Sequence, residues 1–244
     1  MNKNIIVIPT YNEKENIAIL LEKIFKLLPE TSVMVIDDNS PDKTADAVET
    51  LKNQYSNLSL LKRGGKDGLG KAYIAGFKKV LENPKWETIT MMDADLSHDP
   101  KYLPEMLKLA ENFNLVIGSR YIPGGGVTKK WELWRRFLSA AGNLYLRLIF
   151  FRYPIRDWTT GYNVIKIDAL KKINFAALNP KGYAFISSLK YYLAKSGATI
   201  KESPIFFEER NGGESKMTSS IIREGVIAPW KILIREIKLK IFRN

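Results

Sequence analysis

The strongest constraint on the fold is an alternation that runs from the start of the chain to about Arg120, where short β-rich runs exchange with segments of helical spacing. Residues 4–8, 33–37, 58–61, 88–92 and 115–118 read as buried strands. Between them Ile17, Leu20, Leu21, Ile24 and Leu28 recur at helical spacing, as do Leu69, Ala72, Tyr73, Phe77 and Val80. This order predicts an α/β fold with a mostly parallel sheet flanked by helices. Open sheets of this kind bind ligands beyond the carboxyl ends of their strands. The polar residues that follow each apolar run are therefore predicted to converge on one crevice.

After Arg120 the pattern changes. A Gly-rich loop, Gly124 to Gly126, leads into Trp131 to Phe151, where apolar residues dominate but Arg135, Arg136 and Arg147 interrupt. A strand pattern around Ile200 to Glu208 and a Gly/Ser loop from Asn211 to Ser215 precede a basic, apolar helix from about Ser219. No linker or repeat divides the 244 residues, of which 45% are hydrophobic, so the expectation is one catalytic-size domain over 1–218 with a C-terminal helix over 219–244.

No run offers the roughly 20 uncharged apolar residues of a spanning helix, and the first strand begins too early to leave room for a signal peptide. The expected location is therefore cytoplasmic. The absence of cysteine removes thiolate chemistry, and a formal charge of +12 predicts attraction to nucleic acid, an anionic membrane leaflet or a phosphorylated substrate. A nucleic-acid module is the weakest of the three, because the recognisable stacking and helix motifs are missing.

Pro9-Thr10-Tyr11-Asn12-Glu13 follows the first strand and Asp37-Asp38-Asn39-Ser40 the second, so both should stand at the same sheet edge. Tyr11 can cover a base, and Glu13 or Asp38 can accept hydrogen bonds from base or ribose. The plainer alternative is that Asn12 caps a helix and Asp37 to Asp42 form a turn. Asp93-Ala94-Asp95 ends the fourth strand with two carboxylates around one alanine, oxygen ligands suited to Mg²⁺ or Mn²⁺ on a nucleotide diphosphate. Alone it would be a weak signal; beside the two other clusters it points to a metal site. His98, the sole histidine, reads as a polar loop residue rather than a ligand.

Arg210 and Lys216 flank a glycine-containing loop that can fold over phosphates, where two cations would neutralise a departing diphosphate. Arg120 follows the fifth strand, and Arg135 and Ser139 lie four apart on one helical face. Together they could grip a phosphate monoester. The last helix sets Val226, Trp230, Leu233, Ile237 and Ile241 on one stripe among Lys231, Arg235, Lys238, Lys240 and Arg243. Such a helix can lie in the headgroups of an anionic membrane, or pack on its own domain or a partner.

Pro9 to Glu13, Asp37 to Ser40, Gly64 to Lys71, Asp93 to Ser97, Gly118 to Tyr121, Asp157 to Gly161 and Gly213 to Lys216, in this order, resemble the dolichol-phosphate (polyprenyl-phosphate) mannose synthases of glycosyltransferase family 2. The resemblance implies a GT-A, Rossmann-like fold and inverting transfer of mannose from GDP-mannose to a polyprenyl phosphate, the alternatives being a related family 2 transferase using UDP-glucose or another acceptor, or a non-catalytic basic membrane-binding subunit. It implies that Pro9, Tyr11, Glu13 and Asp38 hold the nucleoside. Asp93, Ala94 and Asp95 would manage the diphosphate, with Asp93, Asp95 and Ser97 at the Mg²⁺ or Mn²⁺. Arg210 and Lys216 would join Asp95 in catalysis at the leaving group, and Arg120, Arg135 and Ser139 would hold the lipid phosphate. The chain departs from the family at Asn163, where arginine is common, and at Phe185 to Ser188, which lack the usual glutamine and glutamate. Some members carry C-terminal membrane spans; this chain has the basic helix, which points to a peripheral protein on the cytoplasmic face of a membrane, with a membrane-anchoring subunit as a possible partner.

Overall fold

A computed structural model describes residues 3–128, 132–178, 182–209 and 219–241. Its first half alternates β1 (Asn4–Thr10), α1 (Lys14–Leu27), β2 (Ser32–Asp37), α2 (Thr44–Leu51), β3 (Leu58–Lys62), α3 (Leu69–Leu81), β4 (Thr88–Met91), α4 (Leu103–Ala110) and β5 (Leu115–Ser119). All five strands predicted from apolar runs form. The second half adds β6 (Gly126–Val127), α5 (Leu133–Ile149), β7 (Asn163–Lys166), α6 (Ile167–Leu170), α7 (Gly182–Lys195), β8 (Ile200–Pro204), β9 (Phe206–Phe207) and α8 (Ser219–Ile241).

Seven strands make one sheet in the order β3-β2-β1-β4-β7-β5-β8. Every pairing is parallel except those of β7, which runs antiparallel to β4 and β5 between them. Period-two alternation splits the strands between two cores. Ile6, Ile8, Val33 and Val35 face α1 and α4, whereas Ile5, Val7, Met34 and Ile36 face α3 and α7. Burial on both faces is why these strands read as unbroken apolar runs. Helix α3 lies so close that a Cβ on Gly76 would stand 2.4 Å from Ile36 Cδ1 and 3.0 Å from Val7 Cγ1.

The chain reverses its direction of travel between β1 and β4, since β2 and β3 lie on one side of β1 and β4 on the other. A crevice opens at such a switch point beyond the carboxyl ends. Helix α8 packs along α7 and α5: Tyr145 Oη donates to Val226 O at 2.7 Å and accepts from Trp230 Nε1 at 2.8 Å. No described helix is long and apolar enough to cross a membrane.

Candidate active site

The polar segments after β1 and β2 interlock. Thr10 Oγ1 donates to Asp37 Oδ1 at 3.0 Å, and Ser40 N and Oγ donate to the same carboxylate at 2.9 and 2.6 Å. The first turn of α1 is capped from the other loop. Asn12 N donates to Ser40 Oγ, Glu13 N to Thr44 Oγ1 and Lys14 N to Asp42 Oδ2, each at 3.1 Å. Asn12 therefore does not cap the helix; its φ of 59° turns the chain so that these amides meet the second loop. Asp37 belongs to that scaffold, whereas Asp38 points elsewhere and pairs with Arg63, at the end of β3. Burial raises the Asp38 carboxyl above its ordinary value against the pull of Arg63. Lys66 sits 4.1 Å from the ring centre of Tyr11, so Tyr11, Asp38 and two cations share this side of the crevice.

At the end of β4, Asp95 is buried and accepts from Ser97 Oγ at 2.6 Å and from Ser97 N at 3.2 Å. The turn is made possible by Leu96 at φ 64°. The two donors orient the Asp95 carboxylate, so the observed contact of Ser97 is with Asp95. Asp93 is half-buried, and its amide donates to His98 Nδ1 at 3.0 Å. His98 is a loop residue as expected but not a solvated one. It is 1% exposed, stacks on Tyr162 at 4.9 Å and meets Phe207 edge-on at 5.4 Å. Burial lowers its basicity against the pull of Asp93 and Asp95.

Arg120 Nε and Nη2 donate to Asp157 Oδ2 and Oδ1, both at 2.8 Å, and Nη2 also reaches Thr159 Oγ1 at 2.7 Å. Arg120 is 8% exposed and Asp157 fully buried. Burial alone would raise the Asp157 carboxyl, but Arg120 holds it at about 2. From α5, Ser139 Oγ shares a 2.7 Å hydrogen bond with Tyr121 Oη. Asn143 Nδ2 donates to Thr159 Oγ1, and its Oδ1 accepts from Trp158 N at 2.8 Å, tying α5 to the loop after Arg156.

These groups meet in one cavity of about 380 Å³, lined by Asp93, His98, Arg120, Arg135, Ser139, Gly161, Tyr145 and Val226 among others. The fold thus brings together Asp93, Arg120, Arg135 and Ser139, as read from the sequence, and stations Asp95 and Ser97 beside them. Pro9, Tyr11, Glu13 and Asp38 lie at the neighbouring strand ends. Arg210 and Lys216 fall outside the described residues. A larger depression of about 500 Å³, at the opposite end of the sheet by Ser32, Asn57 and Trp86, contains none of these residues.

The two sequence departures also lie here. Asn163 is buried and its Nδ2 donates to Thr160 O at 3.2 Å; Ser187 lines the cavity, and Ser188 Oγ caps Phe185 O at 2.9 Å. Two residues escaped the sequence reading. Arg63 occupies the strand-end position that marks Asp38 and Asp93, and that rule would have found it. Lys190 lies within an apolar helix, and its only signal is one cation among Phe185, Leu189 and Leu193.

Residues 5–174 match the glycosyl transferase family 2 domain. The chain is 41% identical over 221 residues to the undecaprenyl-phosphate mannosyltransferase of Micrococcus luteus, covering 91% of this chain and 90% of that protein. It is 38% identical to the polyprenol monophosphomannose synthase of Mycolicibacterium smegmatis over 235 residues, 94% and 87% of the two chains. Among solved structures, the fold resembles a Pyrobaculum calidifontis mannosyltransferase in complex with GDP-Man and Mn²⁺, at TM-score 0.65 and 19% identity over 96% of this chain and 64% of that one. It also resembles the Mycobacterium tuberculosis glucosyl-3-phosphoglycerate synthase in complex with Mn²⁺ and UDP-glucose, at TM-score 0.67 and 15% identity over 94% and 78%. By domain match, by relatives and by its GT-A architecture, the chain belongs to glycosyl transferase family 2.

Proposed function

We propose that the chain transfers mannose, with inversion, from GDP-mannose to a polyprenyl phosphate at a membrane surface. The observation that carries this reading is the single cavity in which Asp93, at the end of β4, faces the same space as Arg120, Arg135 and Ser139. Carboxylates suit a metal-bound diphosphate, and paired guanidinium groups suit a phosphate monoester. The printed activities of the Micrococcus and Mycolicibacterium relatives support the acceptor, and the GDP-Man complex of the Pyrobaculum neighbour supports the donor.

Asp93 and Asp95 fit Mg²⁺ or Mn²⁺. Among the described residues no group of three or more His, Cys, Asp or Glu gathers into a closed metal cage. Two carboxylates are enough for an ion that keeps waters and takes substrate phosphates as its other ligands. When bound, such an ion supplies positive charge at the diphosphate oxygens. The rest falls to side chains. A lipid monophosphate is largely ionised at neutral pH, its second pKa being about 6, so it attacks without a general base. Arg120, Arg135 and Ser139 hold it in line with the anomeric carbon. The new bond joins a phosphate oxygen to that carbon, the bond to the donor diphosphate breaks, and GDP departs with the electron pair. Arg210 and Lys216 are assigned to that leaving group.

The membrane assignment rests on α5 and α8. Leu133, Phe137, Leu148 and Phe151 are 78, 76, 68 and 84% exposed, and Val226, Trp230 and Ile237 about half. Apolar exposure of this extent marks an interaction surface. Exposed Arg136, Arg147, Lys231, Arg235 and Lys238 surround it, which favours an anionic leaflet such as the cytoplasmic one. Tyr145 and Val226 belong to the cavity wall, so the face lies at the entrance. In this reading 1–218 carries catalysis, and 219–244 serves both packing and docking.

The test incubates the protein with Mg²⁺ or Mn²⁺, a short polyprenyl phosphate in detergent and, in parallel, GDP-mannose, UDP-glucose or UDP-N-acetylglucosamine, with mass spectrometry of the lipid. Metal-dependent product from GDP-mannose is expected. Product from another donor alone would replace the donor assignment, and no lipid product from any donor, with or without added membranes, would overturn the acceptor.

A further inference from the structure

Lys190, in the middle of α7, is 1% exposed, yet its ammonium donates to the backbone carbonyls of Asp157 at 2.8 Å and Thr160 at 2.9 Å. Burying an ammonium is costly unless it is paired and hydrogen-bonded. Packing does not call for a cation here, since Phe185, Ile186, Leu189 and Leu193 around it on the helix are buried and apolar. Burial pushes the Lys190 amine down to about 7, against the pull of Asp157 and Glu202 and with the help of Arg120. Glu202 closes the cluster by accepting from Asp157 N at 2.9 Å and Arg156 N at 3.0 Å.

The loop that Lys190 holds reaches the acceptor side through Arg120 and through Asn143 of α5. The Asp157 carboxylate grips Arg120 and accepts from the amides of Thr159 and Thr160 at 3.2 and 3.1 Å. Thr159 Oγ1 accepts from Arg120 Nη2 and from Asn143 of α5. Gly161 lies beside the carboxylate of Asp93, where a Cβ would stand in ordinary contact, 3.5 Å from Oδ1. Lys190 itself is not among the residues lining the cavity.

We propose that Lys190 is a positioning residue for the acceptor phosphate: by holding the carbonyls of Asp157 and Thr160 from beneath, it sets where Asp157 and Thr159 present Arg120 to the cavity. The proposal deepens the acceptor reading above and rests on it for the identity of the ligand. The lysine acts through Arg120, without touching substrate.

The test compares K190M, which removes charge and donors, with K190Q, which keeps an amide donor. In K190M the KM for polyprenyl phosphate is expected to rise about tenfold or more, because small displacements of a positioning group carry large rate costs, while the KM for GDP-mannose stays unchanged. K190Q is expected to fall between K190M and the wild type. Hydrogen exchange at the amides of Thr159 and Thr160, which needs no turnover, should accelerate in K190M. An acceptor KM equal to wild type in a folded variant, or unchanged exchange in that loop, would overturn the proposal. Failure of both variants to fold would assign Lys190 to the fold alone and overturn it as well. If the wild type makes no mannosyl lipid, the acceptor reading fails on its own, and the exchange measurement still decides whether Lys190 holds the loop.

Discussion

Asp157 binds Arg120 through both carboxylate oxygens at 2.8 Å, across 37 residues of sequence, with the carboxylate fully buried and the arginine nearly so. This pair fixes the arginine at the wall of the cavity, and it makes the proposed acceptor site and the stability of the domain depend on the same contact.

The pair gives a pH signature. Asp157 titrates at about 2 in the folded chain against 3.8 for an ordinary aspartate. A depressed folded value contributes stability above the unfolded pKa and loses it as pH falls through the folded one. The contribution is about 2 kcal/mol on this shift. Urea unfolding at pH 7 should show D157N less stable than wild type, and the gap should close between about pH 4 and pH 2. A gap independent of pH would contradict the assignment.

Arg120 and Arg135 should separate on substitution. R120A strands a buried carboxylate, which costs about 3–5 kcal/mol in comparable sites. R135A removes a partly exposed cation from the cavity wall and should lower stability far less than R120A while raising the KM for polyprenyl phosphate. Steady-state kinetics on both substrates check this; an equal rise in the KM for GDP-mannose would argue against a separate acceptor site.

Asp95 and Ser97 should differ in severity. D95A is expected to abolish metal-dependent turnover while the protein still folds, since Asp95 lies in the turn after β4 and belongs to neither apolar core, its removal costing Ser97 its acceptor. Ser97 orients that carboxylate through a 2.6 Å bond. S97A should raise the half-saturating Mn²⁺ concentration about tenfold or more, the usual effect of removing a group that orients a metal ligand. Metal titrations of initial rate distinguish the two, and a D95A protein with wild-type rates would refute the metal assignment.

The apolar face predicts a defect confined to membranes. Phe137 and Leu148 are exposed and are not among the residues lining the cavity, so a double glutamate variant should lose sedimentation with anionic vesicles. Its turnover of a short, water-dispersed polyprenyl phosphate should match wild type. Retained vesicle binding would move the docking surface elsewhere.

The five strands up to Arg120 and helices α1 and α3 were legible because β1, β2, β4 and β5 are buried on both faces and the two helices on one, while α2 and α4 gave no comparable signal. The same logic located Asp38, Asp93 and Asp95, because a strand end at a switch point is where an open sheet binds. What tertiary structure decided lies in the second half. Four-residue β7 is too short to show a period, and it enters the sheet antiparallel between β4 and β5, where pairing rather than propensity selects it. Helix α8 was expected to carry Val226, Trp230, Leu233, Ile237 and Ile241 on one stripe. In the fold Ala228 and Ile232 are buried and Leu233 is partly so, while Val226, Trp230, Ile234 and Ile237 stay exposed, since α5 and α7 determine which side is covered. The pairing of Arg120 with Asp157, and Lys190 beneath both, were invisible along the chain for the same reason. A charge reads as solvated until the fold closes over it, and only the packed structure shows that its partners, far away in sequence, are waiting there.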